Sequence, residues 1–257
     1  MKAHAKINLA LVVGPLREDG KHEIATVLHR IELADELTLE PADELAVEGF
    51  PEDTLVRRAL EAVAAAANVE PAWRVRIEKR IPVAAGLGGG SSDAAAALRL
   101  ANATLSQPRP LYRLARSLGS DVPFFLAEGP QLGTDDGSTL EPVEVPRDWT
   151  CLLVLPADVA KESTATVYAR FADEAGFERR RERLLAALAA GDLAALPTND
   201  LAASPLTREL RRLGAFRADV SGAGPAVYGL FHDRRTAEAA AAAVAGRGRT
   251  WIVAPAW

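Results

Sequence analysis

The sequence predicts an α+β protein of two domains. Strand-like runs alternate with alanine-rich helical stretches, joined by short connections, along all 257 residues. The stretch Gln131–Asp148 carries turn residues and two prolines, which places a boundary near residue 148 between domains 1–148 and 149–257. A chain of this length can bury a proper core in each part.

Residues 2–13 are rich in β-formers, and a charged turn, Arg17–Lys21 with its Asp19-Gly20 pair, follows. Further strands are expected at Glu23–Leu33, Glu36–Glu40, Glu44–Glu48 and Trp73–Lys79. Between the last two, Asp53–Ala67 places Leu55, Leu60 and Val63 at helical spacing. Ser91–Asn102 reads as a helix packed closely through its alanines, and Arg109–Leu118 as a helix stopped by Gly119. After the boundary come a strand (Thr150–Leu155), helical segments around Ser163–Ala172 and Phe177–Ala190, and a helix at Pro205–Leu213. Two strands flanking Ser221–Pro225, a helix (Arg235–Ala245) and a strand (Thr250–Ala254) complete the order.

Composition narrows the function. A net charge of −5 gives no basic surface for a polyanion, so no nucleic-acid partner is expected. No apolar segment reaches the length of a membrane span. Lys2 and Lys6 precede the apolar stretch Ile7–Leu16, but Asn8 interrupts it and Arg17-Glu18-Asp19 follow, so it reads as a strand rather than a leader. One cysteine, Cys151, allows no internal disulfide and fits a reducing, cytoplasmic setting. The arginines at 179, 180, 181 and 183 alternate with Glu178 and Glu182 and read as a solvated helix face. Nothing in the sequence sets an oligomeric state.

The strongest local signal runs from Lys79 to Ala94. A strand ends, the glycine cluster Gly86-Leu87-Gly88-Gly89-Gly90 turns the chain, and a helix opens with Ser91, Ser92 and Asp93. Glycines let backbone amides approach an anion, and a helix start offers unpaired donors and a favourable dipole. The serine hydroxyls can bond phosphate or ligate Mg²⁺ held by it. The plain alternative is a turn with a serine helix cap, but three successive glycines are an entropic burden for a mere turn. The spacing matches neither a Walker loop nor a dinucleotide fingerprint. Asp93 is expected to serve the helix dipole rather than a metal.

This run resembles the second motif of the GHMP kinases, and three more segments agree in family order. Ala5-Lys6-Ile7-Asn8-Leu9 resembles the N-terminal motif, Leu118-Gly119-Ser120-Asp121-Val122-Pro123 the catalytic-aspartate segment, and Ser221-Gly222-Ala223-Gly224-Pro225 the third-motif glycine turn. The resemblance implies a two-domain fold with its active site in the interdomain cleft, and ATP and Mg²⁺ as cofactors. It implies Asp121 as base and Lys6 as its cationic partner. Pro82, Gly86, Leu87, Gly88, Gly89, Gly90, Ser91 and Ser92 would then bind ATP, and Asn8, Gly222 and Gly224 would stand near the small-molecule substrate. No protein ligand for the metal is identified.

The chain is most similar to the branch of the family that acts on a cytidine-diphosphate sugar alcohol in the non-mevalonate isoprenoid route. There the first turn reads Asp-Gly-Tyr-His; here it is Asp19-Gly20-Lys21-His22, so the histidine is kept and an aromatic is lost. The resemblance implies that His22 bonds cytosine and that Tyr168, in Ser163–Tyr168, stacks on it. Thr54 stands where the family has asparagine, and Leu132–Gly137, with Asp135 and Asp136, replaces an arginine- and glycine-rich stretch.

Overall fold

The computed structural model describes residues 1–50, 54–159, 164–171 and 175–256. They fold as two packed units, each assembled from separated segments. The first takes Met1–Ala5, Leu33–Val83 and Gly88–Glu128; the second takes Lys6–Glu32, Ala84–Leu87 and the chain from Gly129 onward. Residue 148 lies inside the second unit. Two long strands, β1 (Lys2–Leu16) and β2 (His22–Pro41), give residues to both units.

In the first unit, Glu36–Pro41 of β2 pairs antiparallel with β4 (Trp73–Glu78), and the short β3 (Ala46–Glu48) runs parallel to β4. In β4, Trp73, Val75 and Ile77 are buried while Arg74, Arg76 and Glu78 face water, the two-residue period of a sheet with one covered face. α1 (Thr54–Ala67) buries Val56, Ala59, Leu60, Val63 and Ala64, a stripe at helical spacing. It packs on α2 (Gly89–Thr104), where Ala94–Ala97 are buried and keep the side-chain layer thin. α3 (Leu111–Leu118) stops at Gly119, whose amide closes on the Ala115 carbonyl. The sequence reading missed α4 (Val122–Leu126), which follows at once.

In the second unit, Thr26–Leu28 of β2 pairs with β5 (Gln131–Thr134), which forms a hairpin with β6 (Thr139–Pro142). The stretch read as a boundary therefore contains a strand pair. A separate antiparallel sheet has the order β10-β7-β9-β8, from β7 (Thr150–Pro156), β8 (Arg217–Val220), β9 (Val227–Phe231) and β10 (Gly248–Val253). Its core joins Leu152, Val154, Val227 and Phe231 to Leu210 of α7 (Pro205–Arg212) and Ala237 of α8 (Arg234–Ala243). Ser204 and Asp233 cap these helices by accepting from the amides of Leu206 and Thr236.

α5 (Thr164–Ala169) and α6 (Phe177–Ala189) lie where helices were expected; Asp53, Ser163 and Ala172, the expected ends of two helices, are outside the described residues. Among the described residues, no helix is long and apolar enough to cross a membrane. Cys151 is fully buried, and burial pushes its thiol up, away from reactivity.

Two local readings change. Glu23–Leu33 and Glu36–Glu40 are one continuous strand, because Asp35 is an inward, fully buried residue of β2 rather than a break. The arginine cluster on α6 is not wholly solvated: the Arg180 guanidinium pairs with Asp200 at 3.0 Å.

Candidate active site

In the second unit, the tip of the glycine loop locks against the turn Ser221–Pro225. The Ser221 hydroxyl donates to the Gly86 carbonyl at 2.9 Å, and the Ala226 amide to the Ala85 carbonyl at 3.1 Å. Gly86 has φ 81°, and a β-carbon there would stand 2.2 Å from the Ser221 carbonyl oxygen. Only glycine fits that approach. Ala84 is also held at positive φ, 66°, a conformation that costs a non-glycine residue about 1–2 kcal/mol.

Lys6 and Asn8 enter the same place from β1. The Lys6 amide donates to the Leu87 carbonyl at 2.9 Å, and the Lys6 ammonium donates to Asn8 Oδ1 at 2.6 Å. Asn8 Nδ2 passes the chain on to Thr26 Oγ1 at 2.8 Å. Both side chains are at most 5% exposed, so the ammonium is desolvated and its field little screened. A β-carbon at Gly222 (φ 57°) would lie 3.4 Å from Lys6 Nζ, Asn8 Oδ1 and the Gly86 carbonyl alike. Gly224, also at positive φ, closes the turn by donating its amide to the Ser221 carbonyl at 2.9 Å. The structure thus brings together Lys6, Asn8, Gly86, Leu87, Gly222 and Gly224 from three separated segments.

In the first unit, Pro82 is half-buried just after Ile81, and α2 starts from Gly88 in a left-handed conformation (φ 70°). No side chain caps the helix, so the serine-cap alternative falls. Ser91 and Ser92 are its third and fourth residues, and Gly90 is exposed at its start. Asp93 is not a dipole charge at the surface. It is fully buried and pairs with Lys79 at 2.7 Å. Asp121 stands at the N-cap position of α4, half-buried, and makes no side-chain capping bond. Thr54 begins α1 and is exposed.

The second unit also joins His22 to Tyr168. Their rings stack at 5.9 Å and 29°, and Phe171 meets His22 edge-on at 5.8 Å. His22 Nδ1 lies 2.8 Å from the Gly14 carbonyl, which can only accept. The neutral ring therefore donates through Nδ1 and keeps Nε2 as an acceptor. The sequence reading missed Phe171, which stands three residues beyond Tyr168, just past the end of α5. Lys21 pairs with Asp136 on the β5–β6 turn, and Arg17 pairs with Asp135. Burial alone would raise the Asp136 carboxyl; Lys21 and Ser138 instead hold it at about 2. Two of the three departures noted in the sequence, Lys21 and the stretch with Asp135 and Asp136, are thus joined through the Lys21–Asp136 pair.

Two family models match the chain: the GHMP kinases N terminal domain over residues 54–129, and the GHMP kinases C terminal model over 176–250. They fall on either side of residue 148. A 4-diphosphocytidyl-2-C-methyl-D-erythritol kinase of Anaeromyxobacter dehalogenans is 40% identical, covering 96% of this chain and 85% of its own. The enzyme of that name from Pelotomaculum thermopropionicum is 39% identical, covering 93% and 91%. A crystal structure of a 4-(cytidine 5'-diphospho)-2C-methyl-D-erythritol kinase superposes with TM-score 0.84 at 34% identity over 100% of this chain and 99% of that one. Methanococcus jannaschii mevalonate kinase shares the fold (TM-score 0.79, 13% identity, 100% and 98% covered).

Proposed function

The chain belongs to the GHMP kinases, and we propose that it moves the γ-phosphoryl group of ATP onto a hydroxyl of 4-diphosphocytidyl-2-C-methyl-D-erythritol. It is a phosphotransferase with an alcohol group as acceptor, serving the non-mevalonate route to isoprenoid precursors in the cytoplasm. The observation that carries this reading is the nearly full-length likeness to kinases of that name. We propose the division near residue 148 as one of sequence, between the glycine-loop region and the C-terminal region; the second packed unit draws chain from both sides of it.

Phosphoryl transfer asks for positioning and charge neutralisation rather than covalent catalysis. Asp121 takes the proton of the acceptor hydroxyl as its oxygen forms the new bond to the γ-phosphorus. The bond to the β–γ bridging oxygen breaks, and ADP departs with that electron pair. The Lys6 ammonium, desolvated and fixed by Asn8, balances charge on the reacting oxygens. Backbone amides of Gly88, Gly89 and Gly90, with the hydroxyls of Ser91 and Ser92, hold the ATP phosphates. Those hydroxyls also suit Mg²⁺, a hard cation that keeps most of its shell as water and phosphate and supplies charge neutralisation when bound. Pro82, Gly86 and Leu87 shape the loop, while Gly222 and Gly224 let the turn approach it.

At the acceptor end, Nε2 of His22 is an acceptor for the exocyclic amine of cytosine. Tyr168 supplies a stacking face, and Phe171 walls the same cluster. The test is a coupled ADP-release assay with the cytidine compound beside homoserine, mevalonate and galactose. Efficient turnover of the cytidine compound alone is expected. Turnover of one of the other three in its place overturns the assignment.

A further inference from the structure

We infer that the adjacent residues Asn199 and Asp200 are positioning residues that clasp β1 to the glycine turn and so set where the Lys6 ammonium stands, an assignment that rests on Lys6 being the catalytic cation. Neither residue belongs to the motifs that suggested the site. Asn199 is 8% exposed and spends both amide protons on the turn: Nδ2 donates to the Val220 carbonyl at 2.9 Å and the Gly222 carbonyl at 2.7 Å. Its Oδ1 accepts from the Leu201 amide at 2.8 Å, which fixes the orientation of the amide plane.

Asp200 holds the other partner. Its Oδ2 accepts from the Val13 amide at 2.9 Å, and its own amide donates to the Leu11 carbonyl at 3.0 Å. Arg180 completes the hold, pairing with Asp200 and donating to the Val13 carbonyl at 3.2 Å. One peptide step therefore fastens β1 on one side and the Gly222 turn on the other. These are the two elements whose approach puts Gly222 against Lys6 Nζ and the Gly86 carbonyl. Asn199 acts on Lys6 only through that turn, so removing its donors should loosen geometry while the ammonium itself remains.

The test is a double-variant cycle read in kcat and KM. Asn199→Asp keeps the shape and the bond from Leu201 but faces two carbonyls with oxygen. A misplacement of the turn should lower kcat by ~10–100-fold, with KM for ATP and for the acceptor changed by less than about threefold. Lys6→Met should lower kcat further, and the double variant should be no slower than Lys6→Met, because groups acting as one unit do not lose independently. A slow Lys6→Met with normal kcat in Asn199→Asp overturns the clasp, and so do losses that multiply in the double variant. Normal kcat in Lys6→Met overturns instead the reading of Lys6 on which the clasp depends. Thermal denaturation checks that each variant is folded. Should Asn199→Asp not fold, Asn199→Ala carries the same cycle, and if neither folds the pair is a folding element only and the inference fails.

Discussion

Lys79 stands between two fully buried carboxylates, 2.6 Å from Asp35 on β2 and 2.7 Å from Asp93 on α2. Asp35 also accepts from the Ile81 amide at 2.8 Å, so the ammonium ties the strand, the start of the loop and the helix into one polar cluster. Removing one partner of such a cluster leaves buried charge uncompensated. Lys79→Met should lower stability by ~3–5 kcal/mol in urea unfolding, and an unchanged midpoint would refute the account of the cluster.

The same cluster has a pH signature. Burial works to lower the Lys79 pKa, but Asp93 and Asp35 outweigh it and raise the value above its usual 10.5. A group raised on folding stabilises below its unfolded pKa and stops doing so as pH climbs through the folded value. Wild-type stability should therefore include a loss above about pH 10.5 that Lys79→Met lacks. Denaturation midpoints across the alkaline range measure the difference; equal losses in both proteins would contradict it.

Lys21 and Asp136 form the second informative pair. The Asp136 carboxyl sits at about 2, below its usual 3.8, so its contribution is present above 3.8 and lost as pH falls toward 2. Lys21→Ala should move that carboxyl up, visible by NMR titration, while changing stability by less than about 1 kcal/mol because the lysine is exposed. Lys21→Tyr should restore an aromatic face to the proposed base site. Base stacking is worth about 1–3 kcal/mol, so acceptor affinity should rise roughly tenfold or more with ATP affinity unaltered. Unchanged acceptor affinity would place residue 21 away from the base.

Gly86→Ala should be poorly tolerated. Its β-carbon would stand 2.2 Å from a backbone oxygen of the Ser221–Gly224 turn, and φ is 81°. The left-handed conformation alone costs about 1–2 kcal/mol, and the clash adds to it. Reduced melting temperature together with weakened ATP binding by calorimetry is the expected result. A variant with normal melting and normal ATP affinity would show that the loop and turn are not locked as described.

What the sequence disclosed follows from what is local. The glycine loop, the stop at Gly119 and the turn at Gly222 are written in backbone requirements of neighbouring residues, so they were legible. The five residues of α4 are too few to display a period, and the four-residue strands β5 and β6 are masked by the Asp-Asp-Gly-Ser turn between them. The gap between the expected strands Glu23–Leu33 and Glu36–Glu40 holds Asp35, whose partner, Lys79, lies 44 residues away. Asn199 and Asp200 sit in a connection, and their partners are distant in sequence, as with Val13, 187 residues from Asp200. Such polar ties exist only once the chain has folded.

The most direct test of the central claim is a single-turnover experiment with γ-phosphoryl-labelled ATP and 4-diphosphocytidyl-2-C-methyl-D-erythritol, comparing wild type with Asp121→Asn. The wild-type enzyme should place the label on the cytidine compound. Asp121→Asn should bind ATP nearly as tightly yet slow the transfer by ~10²–10⁴-fold, the range of a lost general base. Label that goes to water or stays on ATP in the wild type, or transfer at the normal rate in Asp121→Asn, would contradict the account.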